Sequence, residues 1–175
     1  SHFDLDWSGV TVGLVDERYV PIDDLNSNER LIKDYLIQNK ASVASFIGMI
    51  YDAKDLDKNL DLAVEQNKPF YDGTACVLLG MGTDGHTASL FPYDERSLLG
   101  LQNRAVNFPL LNTNSPNEPK QRLSYTIDNI LNTKRLFLYF TGVEKMKVFS
   151  NAKTHNQPFE LPISSFIHQQ QKILE

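Results

Sequence analysis

An apolar run, Ala75-Cys76-Val77-Leu78-Leu79, leads straight into Gly80-Met81-Gly82-Thr83-Asp84-Gly85-His86. The run reads as a buried strand. Three glycines, an acid and a histidine then fall just past its carboxyl end, where open α/β sheets place their ligand sites. Glycine lets a backbone approach an anionic or carbonyl-bearing ligand closely, and histidine moves protons near neutral pH. Two more apolar runs end in the same way. Val10-Thr11-Val12-Gly13-Leu14-Val15 leads into Asp16-Glu17-Arg18, and Leu136-Phe137-Leu138-Tyr139-Phe140 ends at Thr141-Gly142, with Glu144-Lys145 after it.

Helical patterns separate these runs. Asn26-Ser27-Asn28-Glu29 offers a capping-box-like start, Asn26 followed three residues later by Glu29, and Leu31, Ile32, Tyr35 and Leu36 continue at helical spacing. Leu56, Leu60, Ala63 and Val64 share one face of an amphipathic helix over 55–66. Residues 41–50 leave loop, short helix and strand open. Residues 92–118, rich in Asn, Pro and Ser, read as a long connection of the kind that is more often functional than idle. Short helices are expected over 124–131, 143–150 and 161–169, with a strand starting at Lys172. Alternating strands and helices predict an α/β fold, a Rossmann-like open, mostly parallel sheet flanked by helices. Parallel strands bring their carboxyl ends to one edge, so the three loaded segments are expected to converge.

At 175 residues the chain is long enough for one core and too short for two. A single α/β domain over 1–175 is expected. Nothing ahead of Val10 has the pattern of a first βα unit, so the N-terminal part is expected to be missing, and Ser1-His2 resembles a cloning remnant. A sheet without its first βα units has an uncovered edge, from which self-association follows. The net charge of −5 argues against general nucleic-acid binding. Apolar runs fall short of a membrane span and no secretory signal opens the chain, so the default expectation is a cytoplasmic protein with no membrane partner. The single cysteine, Cys76, excludes an internal disulfide, and its place in the apolar run predicts a buried, inert thiol.

Gly80-Met81-Gly82-Thr83-Asp84-Gly85 also fits the dinucleotide pattern G-x-G-x-x-G. That pattern needs a following helix and an acid about twenty residues on. Pro92 ends any helix early and residues 100–105 carry no acid, so a nucleotide site is set aside. His86, two residues after Asp84 inside a glycine turn, is a catalytic candidate rather than a solvent-facing histidine. Asp16-Glu17-Arg18 is otherwise a surface charge cluster, and Lys145 a solvated helix residue. His155 and His168 lack partners at ligand spacing, and no metal is implied.

The segment 80–92, Gly80-Met81-Gly82-Thr83-Asp84-Gly85-His86-Thr87-Ala88-Ser89-Leu90-Phe91-Pro92, resembles the hallmark of the 6-phosphogluconolactonases. Val15-Asp16-Glu17-Arg18-Tyr19-Val20-Pro21, with Ser27-Asn28 after it, resembles their other main motif, and Pro119-Lys120-Gln121-Arg122-Leu123-Ser124 and Thr141-Gly142-Val143-Glu144-Lys145 are similar to further family segments. The resemblance covers essentially the whole chain. It implies the glucosamine-6-phosphate deaminase/ribose-5-phosphate isomerase-like fold and hydrolysis of 6-phosphoglucono-1,5-lactone in the oxidative pentose phosphate pathway, on a small phosphorylated sugar lactone. In that setting His86 is the general base, and Asp84 holds either the imidazole or a substrate hydroxyl. The N–H groups of the turn containing Gly80, Gly82 and Gly85 are candidates for the oxyanion. Asp16, Glu17, Arg18, Arg122 and Lys145 are candidates for substrate contacts, the cations for its phosphate. Neither metal nor organic cofactor is implied, because a lactone is already an activated ester.

Two departures stand out. Family members usually carry an earlier Ser-Gly-Gly-Ser/Thr-Pro-like phosphate loop, which this chain starts after, and Thr83 stands where Glu is common. The related glucosamine-6-phosphate deaminase/isomerases share the Asp-Gly-His turn but place an acid soon after it. Here Thr87 to Pro92 holds none. A non-catalytic sugar-phosphate-binding domain is the alternative of a different class.

Overall fold

Residues 4–102 and 108–169 are described by the structure, a computed structural model. Its elements in chain order are β1 (Thr11–Gly13), β2 (Asp16–Arg18), α1 (Asn28–Tyr35), β3 (Ser45–Ile47), α2 (Leu56–Gln66), β4 (Val77–Leu79), α3 (Glu95–Leu101), β5 (Leu110–Asn114), β6 (Gln121–Tyr125), α4 (Ile127–Leu131), β7 (Leu136–Leu138), α5 (Val143–Thr154) and α6 (Ile163–Ile167). Short 3-10 turns cover Trp7–Gly9, Asn39–Val43 and Lys68–Phe70.

Two parallel pairs form the α/β part. β1 runs beside β3 with Val12 opposite Phe46, and β4 runs beside β7 with Leu78 opposite Phe137. A three-stranded antiparallel sheet of order β2-β6-β5 accompanies them. It takes in residues expected as loop, and the first two of the helix expected over 124–131, whose Ser124 and Tyr125 belong to β6 while α4 begins at Ile127. β5 and α3 sit inside the supposed long connection, and Asp16-Glu17-Arg18 is a strand in its own right, not the tail of β1. The strand expected from Lys172 lies outside the described residues.

One apolar cluster holds these parts together. Leu79, Leu90, Leu123, Ile127 and Ile163 have no exposed surface, and Leu14, Met49, Leu110, Ile130 and Phe166 pack with them. Each such side chain contributes about 1.5–3 kcal/mol on burial. The α2 stripe sits on this cluster as its spacing requires, with Ala63 fully buried and Leu56, Leu60 and Val64 packed at the margin. Asp55 caps α2 by accepting from the Lys58 N–H at 3.0 Å. Buried Asn67 closes its other end: its amide donates to Gly48 O at 2.9 Å and Ala63 O at 3.0 Å and accepts from the Tyr125 hydroxyl at 2.8 Å.

Cys76 is exposed, contrary to the expectation of a buried thiol. The ordered strand begins only at Val77, and Leu78 on the outward face of β4 is itself 62% exposed. Among the described residues no helix is long and apolar enough to cross a membrane.

Candidate active site

β4 ends at Leu79, and the chain then turns back on itself through its glycines. The Gly82 N–H donates to His86 O at 2.9 Å and the Gly85 N–H to Gly82 O at 3.2 Å. Gly85 takes a φ of +82°, a backbone region open to glycine at little cost. Gly82 is needed for space: a Cβ there would run into Asp84 Oδ1 and His86 Nδ1. Gly80 faces open space, so no steric demand fixes it. The N–H groups of Gly82 and Gly85, expected to face an oxyanion, are instead committed inside the turn.

The product of this turn is an acid–imidazole pair. Asp84 Oδ1 and His86 Nδ1 lie 2.6 Å apart, and the same oxygen accepts the His86 backbone N–H at 3.2 Å. A carboxylate only accepts, so Nδ1 carries the proton and Nε2 is left as an acceptor. Burial works to raise the Asp84 carboxyl, but the hydrogen bond and charge of His86 outweigh it and hold it below its ordinary value. The two side chains are 41% and 35% exposed, open enough to meet a solute. Behind the imidazole stands Phe91, its ring centre 4.8 Å away.

The β2 strand divides its charges by alternation, Asp16 and Arg18 to one face and Glu17 to the other. Glu17 has no exposed surface. Its carboxylate accepts from the N–H groups of Arg18, Asn28 and Glu29, each at 2.7 Å, and from the Ser27 hydroxyl at 3.1 Å. Burial nevertheless pushes the carboxyl up. A substrate contact, as expected from the motif, is therefore not open to Glu17, whose lone pairs are spent on the start of α1. The cap of that helix is Ser27, accepting from the Arg30 N–H at 3.2 Å, and not Asn26.

Arg18 and Arg122 are direct cross-strand partners on β2 and β6. Arg18 Nη1 donates to Asn26 O at 2.6 Å. Arg122 is 7% exposed, reaches only Ser115 Oγ at 3.5 Å, and its Nε has no partner among the described residues. Burial and the Arg18 charge both weaken its hold on its proton, while Asp16 and Glu17 strengthen it. Asp16 Oδ2 accepts from the Ser89 hydroxyl at 2.6 Å. Burial raises the Asp16 carboxyl, opposed by Ser89 and by the charges of Arg18, Arg122 and His86.

Residues 1–174 match the family of glucosamine-6-phosphate isomerases/6-phosphogluconolactonase. The 6-phosphogluconolactonase of Helicobacter pylori strain J99 is 41% identical over 170 residues, 96% of this chain and 71% of that protein. That of Neisseria meningitidis serogroup B is 36% identical over 171 residues, 97% of this chain and 73% of that one. The crystal structure of a 6-phosphogluconolactonase from Shewanella baltica superposes with a TM-score of 0.92 at 32% identity, over 99% of this chain and 73% of that one. The chain belongs to this family.

Within this family fold the structure brings most of the expected residues together. Asp16 feels the charges of Arg18, Arg122 and His86, which unites β2, β6 and the glycine turn at one locus. Lys145 lies in the first turn of α5, half-buried, and its side chain has no hydrogen bond or ion pair to the described residues. α5 itself packs on the glycine turn, Val148 standing by Gly85. His155 and His168 bond to backbone carbonyls of α5, at Asn151 O and Ala152 O. Cavities of about 390 Å³ beside Tyr71 and Asn132 and about 230 Å³ beside Leu101 and His168 are lined by none of these site residues. The sequence reading assigned nothing to Ser89, although its place three residues after His86 in the same motif was a signal.

Proposed function

We propose that His86 is the general base in the hydrolysis of 6-phospho-D-glucono-1,5-lactone to 6-phosphogluconate. The observation that carries this reading is the 2.6 Å contact between Asp84 and His86 Nδ1, which leaves Nε2 as an acceptor on a half-exposed ring. Nε2 takes a proton from water as the water oxygen bonds to C1 of the lactone. The bond from C1 to the ring oxygen then breaks, and the imidazolium returns the proton to that oxygen, which becomes the C5 hydroxyl. Asp84 steadies the imidazolium between the two transfers. A positioned base of this kind is worth roughly 10²- to 10⁴-fold.

The phosphate of the substrate falls to Arg18 and Arg122. Like charges directly opposed across two strands are destabilising by themselves. Neither guanidinium has a carboxylate within ion-pairing distance among the described residues, and a dianion relieves that repulsion. Arg122, with its unpartnered Nε, is the stronger candidate for a bidentate contact. Lys145 is a further cation for the same group, and Asp16 an acceptor for a sugar hydroxyl. The substrate is a small water-soluble phosphosugar, which goes with a cytoplasmic enzyme needing neither nucleic acid nor membrane. The test is the rate of hydrolysis of freshly generated lactone against its spontaneous background. Acceleration proportional to protein concentration is expected; a rate equal to background would overturn the reading.

A further inference from the structure

The segment after His86 is fastened to the antiparallel sheet by three hydrogen bonds, one to each of its strands and each made through a buried hydroxyl. Ser89 Oγ donates to Asp16 Oδ2 at 2.6 Å, the Ser89 N–H donates to Ser124 Oγ at 3.3 Å, and Thr113 Oγ1 donates to Ser89 O at 2.6 Å. Ser89, Ser124 and Thr113 are all but inaccessible, at 1%, 0% and 1% exposure. The preceding Ala88 holds a φ of +49°, a left-handed conformation that a residue with a Cβ takes only at a steric cost. Such a geometry persists only where its surroundings over-determine it.

We infer that Ser89 is a positioning residue, whose hydroxyl ties the Asp16 carboxylate of β2 to the segment that carries His86 and so keeps the cation-bearing face of β2 and β6 in register with the Asp84–His86 pair. The inference rests on the lactonase reading for its effect on turnover. A buried serine often does no more than satisfy a backbone group. Ser89 does that with its N–H and C=O, which leaves its hydroxyl for the carboxylate. At 2.6 Å that bond has the length of a charge-assisted O–H···O⁻ contact, about twice the strength of a neutral one. The two acids of β2 differ accordingly. Glu17 has four donors on its two oxygens, whereas Asp16 has Ser89 on Oδ2 and no described donor on Oδ1. Holding Oδ2 leaves Oδ1 as the acceptor offered to a substrate hydroxyl.

The charged groups facing Asp16 are Arg18 from its own strand, Arg122 from β6 and His86 from the glycine turn. All three favour its ionised form, as the Ser89 hydroxyl does, against burial. Removing the hydroxyl raises the Asp16 carboxyl further, a shift that titration of that carboxyl reads directly.

The experiment is a double-mutant cycle of Ser89→Ala and Asp16→Asn, read as kcat/KM with unfolding midpoints alongside. Ser89→Ala is expected to lose about tenfold in kcat/KM, the loss of one hydrogen bond to a charged group. In the Asp16→Asn background the same change is expected to cost less than about twofold. Equal losses in both backgrounds would overturn the inference. Carbon-13 titration of the Asp16 carboxyl in wild type and Ser89→Ala decides the point without turnover. An upward shift supports the role and no shift removes it. A wild-type protein without lactone turnover would count against the lactonase reading alone.

Discussion

The glycine turn and the β2 strand each carry an acid into the same locus and treat it in opposite ways. In the turn, Asp84 and His86 are held by bonds spanning two residues, remain 41% and 35% exposed, and the acid sits below its ordinary range. In β2, Glu17 has no exposure and four donors, and both acids of the strand sit above theirs. A tight turn presents its polar groups to solvent at one tip. A strand sends alternate residues to opposite faces, so one of its charges is spent on structure while the others face the site. The difference separates the part of the locus that does chemistry from the part that holds charge in place.

Gly82→Ala strikes the turn hardest. Its Cβ meets both members of the pair, so a loss of about 10²-fold or more in kcat is expected from misplaced groups. Circular dichroism of the variant should remain native; full activity would show that the pair tolerates displacement. Glu17→Ala attacks the other region and leaves the donors of Arg18, Asn28, Glu29 and Ser27 unmatched. A loss of roughly 3 kcal/mol in urea unfolding is expected, and a loss below about 0.5 kcal/mol would deny the strand its structural role. Asp16→Asn has the smallest effect and the opposite sign. A carboxyl raised above its unfolded value is disfavoured as an anion in the folded protein, a penalty present above the folded pKa and relieved as pH falls through it. The variant should therefore be more stable than wild type at neutral pH, a gain that vanishes in acid, while kcat/KM falls. A stability unchanged between neutral and acid pH would contradict that sign.

Where structure follows from neighbours in sequence, it was legible. The stripe of Leu56, Leu60, Ala63 and Val64 gave α2 to within a residue, and the run of glycines at the end of β4 located the Asp84–His86 pair. What depended on distant partners was not. The start of α1 reads as an Asn26 cap, but the donors of that turn are claimed by Glu17, ten residues upstream, which shifts the cap to Ser27. β2 is charged at every position and has no strand signal of its own; pairing with β6 makes it one. β5 was hidden among Asn, Pro and Ser for the same reason, its Leu110 and Leu111 facing Tyr125 and Ser124 across the ladder. Ser89 sat in the recognised motif, yet its partner lies 73 residues away.

The most direct measurement is the hydrolysis of fresh 6-phosphogluconolactone by wild type and His86→Asn, with 6-phosphogluconate binding followed in both. Asparagine keeps a polar group beside Asp84 but has no basic nitrogen. Turnover is expected to fall about 10²- to 10⁴-fold while product affinity stays within a few-fold. Undiminished turnover would contradict the role given to His86, and with it the division of labour between the turn and the strand.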